Sequence, residues 1–189
     1  MVLFAGRVLQ LKSRWGFCGD DGEHCREVAS QVWQEVQRAA EEAYDRSAEC
    51  SFTTFIGYEW TATVGNGANL HRNVIFRNER VPDFPLSFVE APRDYDLWTG
   101  LAEQCLDAGT GCDVLAIPHN MNISNGRMFS LNYPGAWTRA SKAALARQRV
   151  RIEPTLELMQ HKGASACRNG LPAAHGGAVQ LCDVATHAA

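Results

Sequence analysis

Apolar residues in this chain change their spacing several times, and each change marks a boundary. From Glu23 to Asp45, Val28, Val32, Trp33, Val36, Ala40 and Ala43 recur at three- and four-residue steps, which predicts a helix. Asp21 is its candidate cap, and the polar run Ser47 to Ser51 breaks it. Phe52 to Ala62 is rich in β-branched and aromatic residues and predicts a buried strand, with Thr53, Phe55, Gly57, Glu59 and Thr61 on one face. Val64 to Asn69 reads as a turn, and Leu70 to Arg77 as a second strand. Pro82, Pro85 and Pro92 make the following segment extended or looped. Asp94 to Ala108 fits a helix with Leu97, Trp98, Leu101 and Leu106 facing inward and Gly109 at its end. Asp113 to His119 predicts a short strand, Asn120 to Gly126 a loop, Ala136 to Arg149 a helix, and Ile152 to His161 a last strand.

Strands alternating with helices favour an α/β architecture. The pattern supplies about four strands, whereas a complete eight-unit barrel takes roughly 250 residues. The expectation is a partial or distorted β/α barrel over residues 21–168, after an irregular segment 1–20 and before a loosely ordered Gly-, Ala- and Pro-containing tail at 169–189. No internal repeat is visible.

Composition narrows the function. With 46% hydrophobic and 21% charged residues over 189 positions, the chain has the make-up of one globular domain. A net charge of -3 gives no basic footprint, which disfavours nucleic acid as a partner. No apolar run has the length of a membrane-spanning helix, and the opening Met1 to Arg7 is too short for a signal peptide. Seven cysteines fall into local couples, Cys18 with Cys25, Cys105 with Cys112 and Cys167 with Cys182, leaving Cys50 over. The couples read either as disulfides of an oxidising, periplasmic or secreted setting or as buried thiols.

Histidines mark the strand ends. His71 opens one strand, His119 closes another, and His161 ends the last, while Glu59 lies inside the most strand-like stretch. Imidazole and carboxylate delivered by several strands is one way to assemble a divalent-metal site. Glu59 has a plainer alternative, a hydrogen bond to Arg72 or Arg77; each histidine alone also has a structural one.

Phe55 to Thr61 (Phe-Ile-Gly-Tyr-Glu-Trp-Thr), Asn69 to Arg77 (Asn-Leu-His-Arg-Asn-Val-Ile-Phe-Arg), Ala116 to Asn120 (Ala-Ile-Pro-His-Asn) and Met159 to Gly163 (Met-Gln-His-Lys-Gly) resemble a bacterial family of domains of unknown function. That family is similar to the polymerase-and-histidinol-phosphatase superfamily of metal-dependent hydrolases. The resemblance implies a distorted β/α barrel with two or three divalent ions of zinc, manganese or iron. It implies that Glu59 bridges metals, that His71 and His119 each bind one, and that His161 is a further ligand or a general acid. Arg72, Asn120, Arg127 and Lys162 flank these motifs as candidates to hold a small anionic substrate, such as a phosphoester. The superfamily's opening His-x-His and closing Asp-x-His are missing here, and Ala164-Ser165-Ala166 stands where the family carries acidic residues. A partial domain is therefore expected. Two other readings remain, a non-catalytic remnant and a disulfide-stabilised secreted binding module.

Overall fold

The computed structural model describes residues 15–64 and 67–160. A short 3-10 turn, Gly16–Cys18, leads into helix α1 (Glu23–Ala43). The cap position is Gly22 rather than the expected Asp21, and no side chain caps the helix; Asp21 Oδ1 accepts from the Glu23 amide at 3.0 Å from one residue further out. The stripe of α1 is used differently from its spacing. Trp33 is buried, with its indole N–H donating to the Pro82 carbonyl at 2.9 Å, whereas Val28, Val32 and Val36 are exposed.

Among the described residues five strands follow in two sheets. Strands β1 (Gly57–Trp60), β4 (Arg72–Phe76) and β5 (Val114–Pro118) form one sheet in the order β1-β4-β5, while β2 (Thr63–Val64) and β3 (Ala68–Asn69) pair with each other. Every pairing is antiparallel. The expected β/α barrel is therefore not what forms among the described residues: three antiparallel strands make an open sheet. The reason is local. The chain returns from β1 to β4 through the β2–β3 hairpin, and such a return reverses the strand direction without a crossover helix. At Gly57 a side chain has no room, since a Cβ there would stand 2.8 Å from the Val74 carbonyl oxygen.

Helix α2 (Asp94–Leu101) continues as a π-helical turn, Ala102–Leu106, and α3 spans Arg139–Ile152. A reciprocal pair of bonds between Thr138 and Ser141 caps α3. Its last residue, Ile152, was expected to begin a strand. Instead Ile152 is buried as a helical residue and Pro154 stops the helix. Beyond it Leu156, Leu158 and Met159 are exposed, and no strand is assigned over 153–160.

One face of the three-stranded sheet carries the core. Trp60, Val74, Phe76, Val114 and Ala116 are buried there with Leu97, Trp98 and Leu101 of α2. Arg72 shares this face, and its side chain has no exposure. Its Nε donates to Glu153 Oε1 at 2.9 Å, Nη1 to the Leu70 carbonyl at 2.5 Å, and Nη2 lies 3.4 Å from Asp94 Oδ2. Glu153 also accepts from the Trp98 indole at 2.8 Å and from Arg149 Nε at 3.1 Å. A buried guanidinium is tolerated when its donors are met in this way.

Two of the three cysteine couples are disulfides, Cys18–Cys25 and Cys105–Cys112. Cys50 is a free, exposed thiol. Cys167 and Cys182, with the tail at 169–189, lie outside the described residues. Among the described residues no helix is long and apolar enough to cross a membrane.

Candidate functional site

Strand register brings the predicted site residues together. Arg72 pairs with Pro118, so His71, one position before β4, faces His119, one position after β5. The His119 amide donates to the His71 carbonyl at 3.4 Å. Their rings meet edge to face with centroids 5.6 Å apart. Glu59 pairs with Asn73 and so stands diagonally across from His71 on the same face of the sheet. Its Oε1 lies 3.4 Å from His71 Nδ1, and its Oε2 accepts from the Thr61 hydroxyl at 2.9 Å. Residues 59, 71 and 119 thus converge from three strands, on the face turned away from the core.

The His119 imidazole is held by its Nδ1. His119 Nδ1 lies 2.5 Å from the Asn120 carbonyl oxygen, which only accepts, so the ring proton sits on Nδ1 and the Nε2 lone pair is left over. Burial pushes the His119 imidazolium below its ordinary pKa, and the nearby His71 and Arg72 push the same way. The ring is therefore neutral at pH 7. His71 turns Nδ1 toward Glu59, while its Nε2 is buried and has no hydrogen-bond partner. Leaving a buried polar nitrogen unmet costs about 1–3 kcal/mol.

A second acidic group borders the pair. The Glu157 amide donates to the Pro118 carbonyl at 3.1 Å, and Glu157 Oε2 accepts from the Asn120 amide at 3.1 Å. This seats the carboxylate beside the end of β5. Asn122 Nδ2 donates to Gln160 Oε1 at 2.7 Å, tying the loop after His119 to the chain just ahead of position 161.

Imidazole nitrogens are donors that zinc, manganese or iron takes. The orphaned Nε2 of His71 is the observation that fits this pair to a divalent ion. Two donors do not make a complete set, and among the described residues no group of three or more His, Cys, Asp and Glu side chains is placed to hold a metal ion.

The remaining candidates are scattered. Arg72 belongs to the core on the opposite face of the sheet from His71, bound to Glu153, and does not reach the histidine face. Arg77, the other alternative partner for Glu59, pairs with Asp113 at 3.3 Å. Asn120 is buried as scaffold, its Oδ1 accepting from the Asn122 amide at 3.0 Å. Arg127 is exposed in the loop that follows β5. His161 and Lys162 lie outside the described residues. Two hollows, of about 500 and 430 Å³, open elsewhere, beside Asp20 and Glu90 and beside Arg80 and Gln104.

Sequence reasoning missed Glu153, the carboxylate that holds Arg72, and the Asn120 carbonyl, which fixes the His119 tautomer. Neither had a signal: the first contact spans 81 positions, and the second uses a backbone atom.

No curated protein and no solved structure matches the chain. A family model does, over residues 7–178. The chain belongs to that family, described as Protein of unknown function (DUF3604).

Proposed function

We propose that this protein is a metal-dependent hydrolase acting on a phosphoester-type substrate, with site chemistry akin to that of the polymerase-and-histidinol-phosphatase superfamily. The observation that carries the reading is the pairing of His71 and His119 across β4 and β5, with Nδ1 of each turned toward an oxygen acceptor and Nε2 of His71 buried without a partner. The likeness of Gly57-Tyr58-Glu59 and of the histidine motifs to that superfamily supports it; the barrel of that superfamily is not part of the proposal.

His71 and His119 would hold zinc, manganese or iron through Nε2, and Glu59 supplies the neighbouring negative charge. Such an ion, when bound, lowers the pKa of a coordinated water toward neutrality and polarises a phosphoryl oxygen. The chain's own part is to keep the His119 imidazole neutral and fixed in direction. Burial does the first for His119, and the Asn120 carbonyl does the second. Further donors that would raise the site to two or three ions belong with His161, which doubles as the candidate general acid. Arg127 and Lys162 are the cations proposed to meet an anionic substrate. The two disulfides fit a protein that folds in an oxidising compartment.

Elemental analysis of the purified protein together with hydrolysis of bis(p-nitrophenyl) phosphate tests this. The expected result is stoichiometric zinc, manganese or iron, with turnover that chelation removes and His71→Ala abolishes. A metal-free protein that neither takes up an added ion nor turns over the ester contradicts the reading and leaves the non-catalytic remnant in its place.

A further inference from the structure

Glu59 has two possible relations to an ion at this site, direct ligand or support for a ligand, and its surroundings distinguish them. Both of its oxygens are already directed: Oε2 accepts from Thr61 Oγ1 at 2.9 Å, and Oε1 faces His71 Nδ1 at 3.4 Å. The second contact is longer than a formed hydrogen bond, and contacts of this kind draw in once the ring is loaded. A carboxylate on Nδ1 stabilises the tautomer that carries its proton there. It thereby leaves the lone pair on Nε2, the atom that is buried and unmet. The neighbouring histidine shows the same device with a different acceptor, since the Asn120 carbonyl holds His119 by Nδ1. Two rings side by side thus each turn Nδ1 toward an oxygen acceptor, His119 at hydrogen-bond distance and His71 just beyond it.

We infer that Glu59 is a positioning residue, which fixes His71 by its Nδ1 and presents Nε2 to a divalent cation, with Thr61 aligning the carboxylate in turn. This rests on the metal reading above, and it assigns Glu59 a role other than bridging two ions. Orientation by an outer carboxylate typically changes metal affinity by about 10–100-fold, whereas removal of a direct donor takes away the site.

The test is Zn²⁺ titration by calorimetry of the full chain and of the Glu59→Ala, Glu59→Gln, Thr61→Val and His71→Ala variants. The 15N imidazole resonances of His71 are recorded alongside. Glu59 is about half exposed, with 52% of its side chain open to solvent, so these substitutions leave the core alone. The expected result is that Glu59→Ala keeps the stoichiometry but weakens Zn²⁺ binding about 10–100-fold. Glu59→Gln, whose amide oxygen still accepts from Nδ1–H, recovers most of that loss. Thr61→Val weakens binding in the same direction but by less, and His71→Ala removes a donor and abolishes the site. In the metal-free protein, Glu59→Ala shifts the His71 proton from Nδ1 toward Nε2. If Glu59→Gln loses Zn²⁺ as completely as His71→Ala does, Glu59 is a ligand and the inference is overturned. An unchanged tautomer in Glu59→Ala overturns it equally. Wild-type protein that binds no Zn²⁺ is a separate result and refutes the metal reading itself.

Discussion

The two faces of the β1-β4-β5 sheet are made by the same residues in alternation, yet they treat polar groups in opposite ways. On the inner face Arg72 is buried and its donors are met, by Glu153, Asp94 and the Leu70 carbonyl. On the outer face, one residue along, His71 leaves a buried nitrogen without a partner. The inner face is arranged for stability, where an unmet charge would cost several kcal/mol. The outer face carries an unmet nitrogen beside a second imidazole and a carboxylate, whereas the unmet Tyr133 hydroxyl lies in the core against the rings of Tyr95 and Trp98. The lesson is that an unmet polar group marks a candidate site only where other donors gather beside it.

The sharpest way to break this comparison is to cut the inner network. Glu153→Ala leaves the Arg72 guanidinium buried without its main partner and is expected to cost about 3–5 kcal/mol in urea unfolding. His119→Ala on the outer face is expected to change the stability of the metal-free protein by only about 1 kcal/mol or less. Equal losses at the two positions would mean that the outer histidines are structural after all.

The next effect concerns the disulfide beside α2. Cys105→Ser opens a loop with a sequence separation of seven. Thermal melting should report a loss of about 2–3 kcal/mol by the loop-closure argument. A melting curve unaffected by this change and by reductant would remove the support for an oxidising compartment.

A smaller effect sharpens the comparison through pH. In the fold His119 titrates below its ordinary value of 6.5 because burial disfavours the charged ring. The unfolded chain therefore binds the proton more readily. The stability from the neutral ring is fully present above pH 6.5 and is lost as pH falls from there toward the folded value. His119→Gln should flatten that part of the stability curve in the metal-free protein. A curve unchanged by His119→Gln would show that the ring is not held neutral. Smallest of all, Asp113→Asn at the exposed ion pair with Arg77, whose side chain is 80% open to solvent, should shift stability by about 0–1 kcal/mol.

Much of the secondary structure was legible from periodicity, because α1, α2, β4 and β5 each carry a run long enough to show its spacing; of the buried strand expected over 52–62 only Gly57–Trp60 forms, and Phe52 and Phe55 are exposed. The topology was not. Alternating helices and strands suggested parallel units, but the two-residue strands β2 and β3 are too short to leave a pattern, and their hairpin sets the antiparallel return. Leu156, Leu158 and Met159 were read as part of a last strand and are exposed outside any strand. The stretch is apolar enough for a strand, but the helix runs on to Ile152, and no ladder forms beyond Pro154. At the site, Glu59, His71 and His119 were visible as chemistry-bearing residues at strand ends. Arg72, adjacent to His71, was read as facing an anion; alternation along a strand sends it to the other side.

The central claim is that His71 and His119 act as one pair of Nε2 donors. Long-range 1H–15N spectra of the imidazoles before and after addition of Zn²⁺ measure this directly. The account predicts that both rings carry their proton on Nδ1 without metal and that both Nε2 resonances move together at the same Zn²⁺ ratio. Resonances that stay in place through several equivalents of Zn²⁺, or a shift confined to one ring, would contradict it.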